Sequence, residues 1–261
     1  MGAEIYYPAH EVVERYIELL PRFRADHNLA HWAEQYVSGH AGRCLWDAQF
    51  LAERYKTGRI LNIGGAPYVF EMALKTLNPD LQLVTVDLEP DRFPGVEEAL
   101  GIEIIRGDIE SKDWHLDEKF DCIVFAEILE HLRLDLLGTL ARVRNHLASG
   151  GILYLTTPNG LSFWNIMKHL IRGRTGPSPT AEWGKLRNLG HMGHVREYSA
   201  IEVTELLTSS GFAVDETIFR SLKEGKWPLR DIFVSTRAEF AGEIVIVAHL
   251  ISQSDLPFAK I

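Results

Sequence analysis

The sequence predicts an α/β fold: a doubly wound, mostly parallel sheet of seven strands with helices on both faces. From Arg59 onward, five short runs rich in apolar and β-branched residues alternate with stretches of helical pattern, which is typical of βαβ units. These runs lie at 59–63, 81–87, 102–106, 120–125 and 151–157. Two further strands are predicted near 212–219 and 243–250.

Two helices can be located by their ends. Asp135 precedes a set of leucines and a valine at helical spacing and is placed to cap the helix that they form. Ser149-Gly150-Gly151 is expected to stop that helix. Ser199 and Glu202 have the spacing of a capping box at the start of a second helix over 199–210, which Gly211 should end.

The predicted organisation has two parts. Residues 1–58 read as a helical elaboration rich in aromatic side chains, and no turn-rich linker separates them from the first strand. Residues 59–261 form the main domain. Its stretch 160–197 has little apolar periodicity but two prolines, several glycines and many aromatic and basic residues. We therefore predict a long loop or lid there, with a role in substrate binding.

Composition narrows the possible classes of function. The 261 residues carry a formal net charge of −9, whereas a general nucleic-acid binder usually has a basic surface, so nucleic acid is disfavoured as a partner. No apolar run is long enough to span a membrane, and the N-terminus lacks a signal-peptide pattern. With two cysteines, Cys44 and Cys122, a cytoplasmic location is expected. These patterns leave the oligomeric state open.

The ends of the first three strands have the composition of a nucleotide-cofactor site. The stretch 62–68, Asn-Ile-Gly-Gly-Ala-Pro-Tyr, joins strand to helix, and its small residues let backbone amides approach a polar ligand. Asp87 ends the second strand, where a carboxylate can accept hydrogen bonds from both ribose hydroxyls. Asp108 follows the third, where it can accept one from an adenine amino group. The three together predict a cofactor built on adenosine.

This succession resembles the class I S-adenosylmethionine-dependent methyltransferases, especially the ubiquinone-biosynthesis O-methyltransferases and related enzymes of polysaccharide and natural-product clusters. The resemblance covers about 59–250 and rests on NIGGAPY, VTVDLEP, RGDIE, FDCIVFAEILEHL, LASGGILYLTTPN and the stretch from GHVREYS to SSGF. It implies a reversed last strand and S-adenosylmethionine as the cofactor. The candidate cofactor-binding residues are Asn62, Gly64, Gly65, Ala66, Asp87, Leu88, Asp108, Ile109 and Ala126.

Three positions of the cofactor turn depart from that family's pattern. Asn62 stands where an acid is usual, and Ala66 and Tyr68 stand where glycines are usual. Asn62 can still form hydrogen bonds, but it brings no charge to the ammonium group of the cofactor. A nicotinamide enzyme, the obvious rival for a doubly wound sheet, would need G-x-G-x-x-G, which this turn lacks.

Acids and histidines cluster after the fourth strand. Glu127, Glu130 and His131 have the i, i+3, i+4 spacing that puts side chains on one face of a helical turn. That face is expected at the edge of the sheet where ligands bind in this architecture. His194 comes much later, shortly before the capped helix. Two carboxylates and two imidazoles can bind Mg, Mn or Zn.

The same pattern resembles the metal site of the small-RNA 3′-terminal 2′-O-methyltransferases of the Hen type. That resemblance implies Glu127, Glu130, His131 and His194 as metal ligands. However, E-x-x-E-H also occurs in methyltransferases where no metal is obvious. A metal-free general base at His131 and a purely structural role therefore stay open.

The predicted reaction is transfer of a methyl group to an oxygen of a small-molecule or sugar-like acceptor, with His131 and Glu127 as candidate catalytic residues. A hydroxyl acceptor must lose its proton, and either a histidine base or a metal can provide for this. N-methylation, and a cofactor-binding protein without catalysis, are the alternatives.

Overall fold

The computed structural model describes residues 9–174, 178–189, 193–221 and 228–251. The strands in this part of the chain are β1 (Arg59–Ile63), β2 (Gln82–Asp87), β3 (Glu103–Arg106), β4 (Phe120–Ala126), β5 (Leu147–Pro158), β6 (Phe212–Arg220) and β7 (Glu243–Leu250). They form one seven-stranded sheet in the order β3-β2-β1-β4-β5-β7-β6. β7 pairs antiparallel with both β5 and β6. The predicted fold class, with its reversed last strand, is confirmed.

The chain divides into two compact units, residues 1–108 and 109–261. The helices of the first are α1 (Ala9–Leu19), α2 (His27–Arg54), α3 (Val69–Leu77) and α4 (Val96–Leu100). Those described in the second are α5 (Leu136–Arg144), α6 (Phe163–Arg172), α7 (Pro179–Leu189), α8 (Ala200–Ser209) and α9 (Pro228–Thr236). None of the helices in the described ranges is both long and apolar enough to cross a membrane.

In the first unit, α1 and α2 pack against each other and against α3, and β1, β2 and β3 pair in parallel. Asp26 caps α2 by accepting a hydrogen bond from the amide of Leu29 at 3.0 Å. Tyr16 of α1 is fully buried, and its hydroxyl donates to the carbonyl of Pro67 at 2.7 Å. Most of the described residues of the N-terminal segment thus lie in helices, and α1 is hydrogen-bonded directly to the turn after β1.

In the second unit, both predicted helix caps are present. Asp135 accepts a hydrogen bond from the amide of Gly138 at 2.9 Å, and Ser199 and Glu202 form a complete capping box at the start of α8.

The predicted stop of α5 at Ser149-Gly150-Gly151 is wrong. α5 ends at Arg144, and β5 already begins at Leu147. Phe120 pairs with Leu147 while Cys122 pairs with Ile152, so the glycines belong to a bulge in the strand. Gly150 has φ 79° there, a conformation that favours glycine.

The stretch 160–197 is largely helical in its described residues, where the sequence pattern predicted a loop. Ser162 caps α6 by accepting a hydrogen bond from the amide of Asn165 at 3.4 Å, and α7 follows. Residues 175–177 and 190–192 lie outside the described ranges. The two ends of the stretch meet, because Asn159 and Tyr198 form a parallel bridge and Gly160 N donates to Tyr198 O at 2.8 Å. A role as a lid stays a prediction.

Candidate active site

The turn after β1 is tightly packed against α3 and β2. Gly64 has φ 78°, and its amide donates to the carbonyl of Val86 at 2.8 Å. A Cβ atom on Gly65 would lie 2.6 Å from Glu71 Oε1 and 2.6 Å from Thr85 Cγ2. Glycine is therefore required at position 65 because no side chain fits between the turn and the residues behind it.

Asp87 is bonded to this turn, as expected for two parts of one site. Its Oδ2 accepts the amides of Gly65 and Ala66, each at 3.1 Å, and its Oδ1 accepts the amide of Glu89 at 2.9 Å. A carboxylate has about four lone-pair sites, so acceptor capacity for hydroxyl groups is left. Leu88, beside it, is 58% exposed. Binding of ribose by Asp87 stays a prediction.

Asn62 has a partner that the sequence did not reveal. It is buried, and its Nδ2 donates to Glu71 Oε1 at 2.7 Å. Glu71, on α3, is fully buried and also accepts the hydroxyl of Thr85 at 3.1 Å. Burial raises the pKa of Glu71 to about 7 against the lowering effect of the donors Asn62 and Thr85. A sequence signal existed, since Glu71 is a single acid amid the apolar residues of α3.

The other proposed cofactor residues differ in exposure. Asp108 is exposed, and the preceding amide, of Gly107, donates to Asp87 O at 3.0 Å. In the second unit, Ile109 is buried and Ala126, the last residue of β4, is half-buried. Glu110 of the RGDIE motif has a structural role, because its Oε1 accepts two backbone amides, at residues 133 and 134, both at 2.7 Å.

Glu127 does not lie on a helical turn with Glu130 and His131, so the predicted common helical face is wrong. Its φ is 57°, and only residues 129–131 form a turn of 3₁₀ helix. The cause is pairing along the sheet: the amide of Glu127 donates to Thr156 O at 2.8 Å. Its side chain also contacts β5, where Thr156 Oγ1 donates to Glu127 Oε1 at 3.0 Å.

Three of the four proposed metal ligands do converge. Glu130, His131 and His194 each offer one ligand atom, and these atoms lie within 4.8 Å of one another. Glu130 Oε1 is 3.8 Å from His131 Nε2 and 4.0 Å from His194 Nε2. The two imidazole rings meet edge to face with centroids 5.1 Å apart. Glu127 is not one of these three.

Glu130 is fully buried and only half bonded. Its Oε2 accepts the hydroxyl of Thr157 at 2.9 Å. Its Oε1 has no hydrogen-bond partner among the described residues, although it is buried and faces both imidazoles. Burial, together with the charge of Glu127, raises the pKa of Glu130 to about 8. A buried, unpaired oxygen is costly unless a cation or a proton satisfies it.

A second carboxylate, which sequence reasoning missed, orients His194. Glu197 Oε1 is 3.0 Å from His194 Nδ1, and Glu197 Oε2 accepts Asn165 Nδ2 at 2.6 Å. Burial alone would lower the pKa of His194, but the hydrogen bond to Glu197 and the charge of Glu130 raise it above its ordinary value. The available signal was the i, i+3 spacing of His194 and Glu197.

The arrangement offers one acid oxygen and two imidazole nitrogens within 4.8 Å of one another. Carboxylate-oriented histidines are typical of metal sites, because the carboxylate fixes the tautomer and the ring orientation. The same groups can instead accept and hold a proton. The geometry thus suits either a divalent cation or general base catalysis.

Comparison with known proteins supplies the family. The methyltransferase domain family matches residues 18–217 of the chain. A probable S-adenosylmethionine-dependent methyltransferase of Mycolicibacterium smegmatis is 27% identical over 175 residues, which are 65% of this chain and 58% of that protein. The chain thus matches less than two thirds of that relative's length.

Solved structures support the fold. The N-methyltransferase NodS of Bradyrhizobium japonicum, in complex with S-adenosyl-L-homocysteine, is 16% identical with a TM-score of 0.53, over 94% of this chain and 99% of that chain. The DhpI complex with S-adenosylhomocysteine is 18% identical with a TM-score of 0.53, over 94% and 99% of the two chains. Because the family match covers well over half of its residues, the chain belongs to the methyltransferase domain family.

Proposed function

We propose that the chain transfers a methyl group from S-adenosylmethionine to an oxygen atom of a small-molecule or sugar-like acceptor. Family membership supports methyl transfer, and the name of the mycobacterial relative supports this cofactor. The convergence of Glu130, His131 and His194 is the observation that favours an oxygen atom as the acceptor. A hydroxyl must lose its proton during transfer, and N-methylation needs less of this apparatus.

The cofactor is proposed to bind at the turn 64–66, with Asp87 on the ribose and Asp108 with Ile109 at the adenine. Asn62, Leu88 and Ala126 complete the proposed set. The amides of the turn and the carboxylate of Asp87 support this assignment, since they are already arranged together in the first unit. Much of the rate enhancement would come from aligning acceptor and methyl group, a proximity effect of several kcal/mol.

The reacting centre has two possible forms. In one, Glu130, His131 and His194 hold Mg, Mn or Zn, with Glu127 as a proposed fourth ligand. The unpartnered Glu130 Oε1 and the orientation of His194 by Glu197 fit such a cation. When bound, the metal would lower the pKa of the acceptor hydroxyl. In the other form, His131 removes the proton directly, and Glu127 is the second proposed catalytic residue.

N-methylation is the second candidate. It is favoured by the names of two structural neighbours, NodS and the glycopeptide N-methyltransferase MtfA, which is 16% identical with a TM-score of 0.52. At these identities the likeness concerns the fold, so we rank this candidate below the first.

A label-transfer assay tests the proposal. Wild-type protein is incubated with methyl-labelled S-adenosylmethionine and a panel of phenols, catechols, sugars and amines, with EDTA or with added Mg, Mn or Zn. Labelled methyl ethers are expected. Label on amines alone would select the second candidate. Inhibition by EDTA with recovery on adding metal would select the metal form, whereas an unchanged rate would select the histidine base.

A further inference from the structure

Glu71 is a buried acid that the proposed chemistry does not yet use. Its side chain is fully buried, and its Oε1 accepts hydrogen bonds from Asn62 Nδ2 at 2.7 Å and from Thr85 Oγ1 at 3.1 Å. Its Oε2 is also buried and has no hydrogen-bond partner among the described residues. A buried carboxyl with one unsatisfied oxygen costs stability, so a functional reason for it is worth seeking.

The carboxyl of Glu71 lies directly behind the cofactor turn. A Cβ built on Gly65 would come within 2.6 Å of Glu71 Oε1. The amide of the same glycine donates to Asp87 at 3.1 Å. The backbone of the turn is therefore packed against one acid and hydrogen-bonded to another.

Asn62 and Glu71 are in direct contact behind the turn. Asn62 stands where the family that the sequence resembles usually has an acid. Its side-chain amide donates a hydrogen bond to Glu71 Oε1 at 2.7 Å. The carboxyl next to the turn therefore comes from α3 and not from the end of β1.

We propose that Glu71 is a positioning residue of the cofactor turn, protonated in the free protein, which releases its proton to solvent when the cofactor binds with its ammonium group at residues 64–66. This rests on the proposed use of S-adenosylmethionine. A positive charge near the turn favours the carboxylate over the acid. Proton count balances: the neutral acid and the cofactor give a carboxylate, the bound cofactor and one proton in solution.

Among the titratable groups that the described residues place next to Glu71, Glu71 itself is expected to change charge between pH 6 and pH 8. Burial and, to a smaller extent, the charge of Asp87 raise the pKa of Glu71 to about 7. Burial also raises the pKa values of Tyr16 and Tyr68, so both phenols stay neutral near pH 7. Asn62 and Thr85 donate to the carboxyl and do not titrate.

Calorimetric titration with S-adenosylhomocysteine and S-adenosylmethionine from pH 6 to pH 8 tests the proposal on the full chain. Wild-type affinity should rise with pH, by up to about tenfold per unit below the pKa of Glu71. The binding heat should differ between phosphate and Tris buffers, because a proton is released. In Glu71→Gln, which keeps an oxygen for Asn62 and Thr85, both effects should be absent. Glu89→Gln, an exposed acid nearby, should behave as wild type.

Thr85→Val is the second variant, in case Glu71→Gln does not fold. Without the Thr85 hydroxyl the carboxylate loses a donor, so the pH midpoint of binding should move upward. An unchanged midpoint in this variant, or wild-type pH dependence in Glu71→Gln, would overturn the proposal.

Loss of all cofactor binding is a separate outcome. If wild-type protein binds neither compound at any pH, the proposed function fails, and coupling of Glu71 to the cofactor fails with it. Infrared difference spectra of the free protein then show independently whether Glu71 is protonated. A carboxylic-acid carbonyl band at pH 6 should be present in wild type and missing in Glu71→Gln, whereas a carboxylate band there would contradict a protonated free state.

Discussion

Asp87 accepts hydrogen bonds from two backbone amides of the turn after β1, so its substitution should weaken cofactor binding directly. We expect Asp87→Ala to weaken S-adenosylhomocysteine binding by more than about 1.5 kcal/mol, because charge-assisted hydrogen bonds are lost. Isothermal titration measures this. Asp91→Ala, which removes an exposed acid paired with Arg106, is the control. Equal affinity in Asp87→Ala and wild type would remove Asp87 from the site.

Glu130 makes the stability of the free protein depend on pH. Its folded-state pKa of about 8 exceeds its ordinary value of 4.5, so the folded protein binds a proton that the unfolded chain has released. Stability should therefore fall as pH rises from about 5 to about 8 and then level off, by up to about 1.4 kcal/mol per unit.

Urea unfolding of wild type and Glu130→Gln at pH 5.5 and pH 8.5, with EDTA present, measures this effect. The advantage of wild type over the variant should shrink toward high pH. A difference that is constant, or that grows with pH, would mean that Glu130 is ionised in the folded protein.

The sequence predicted which acid and histidines converge better than it predicted the groups that contact them. E-x-x-E-H and a distant histidine predicted the meeting of Glu130, His131 and His194, which the structure brings together. Glu71 and Glu197 escaped notice, because a carboxylate beneath a turn or behind an imidazole becomes evident only from tertiary packing. The sequence pattern predicted Glu127 on a helical turn, but the pairing of β4 with β5 extends as far as that residue.

At the level of elements, α1 contributes to the cofactor turn through one hydrogen bond. Tyr16→Phe removes the bond to Pro67 O and should destabilise the protein by about 1 kcal/mol. Cofactor affinity should fall as well, because the turn loses an anchor. Chemical unfolding and calorimetry check the two effects. Tyr36→Phe is the matched control, since the Tyr36 hydroxyl accepts Arg43 within α2. An equal loss of affinity in both variants would rule out a specific role for α1.

The stretch 160–197 is predicted to open more readily than the sheet. No residue of α6 is buried, and Leu170 and Ile171 are each 71% exposed. Few buried apolar contacts mean a low free energy of local opening. Hydrogen exchange should show faster exchange in α6 than in β4 and β5, with slowing when cofactor product and acceptor are added. Protection in free α6 equal to that of β4 would argue against a lid.

Strands were easier to predict than the segments between them. Runs of apolar and β-branched residues located the seven strands of the described residues. The end of α5 was misplaced because the register of Phe120 with Leu147 begins β5 early, and register is a property of two strands. The sequence did contain a signal for α6, since Phe163, Ile166, Met167 and Leu170 have helical spacing. The surrounding glycines and prolines concealed it.

On the scale of the whole molecule, we propose that Glu130, His131 and His194 form the reacting centre of a methyltransferase whose cofactor binds around Asp87. Family membership and fold do not depend on this proposal. The family rests on the family match, and the fold rests on the order of the strands in the sheet. If this proposal is right, mutations can abolish methyl transfer without weakening cofactor binding.

The methyl-transfer rate of His131→Ala, relative to wild type with the same acceptor, tests that claim most directly. General base or metal-assisted proton removal contributes roughly 100-fold or more, so the rate should fall by at least that factor while affinity for S-adenosylhomocysteine stays within about twofold. His249→Ala is the control, because His249 also pairs with a carboxylate, Asp215, at 2.7 Å. A wild-type rate in His131→Ala would contradict the account in both its metal and its metal-free forms.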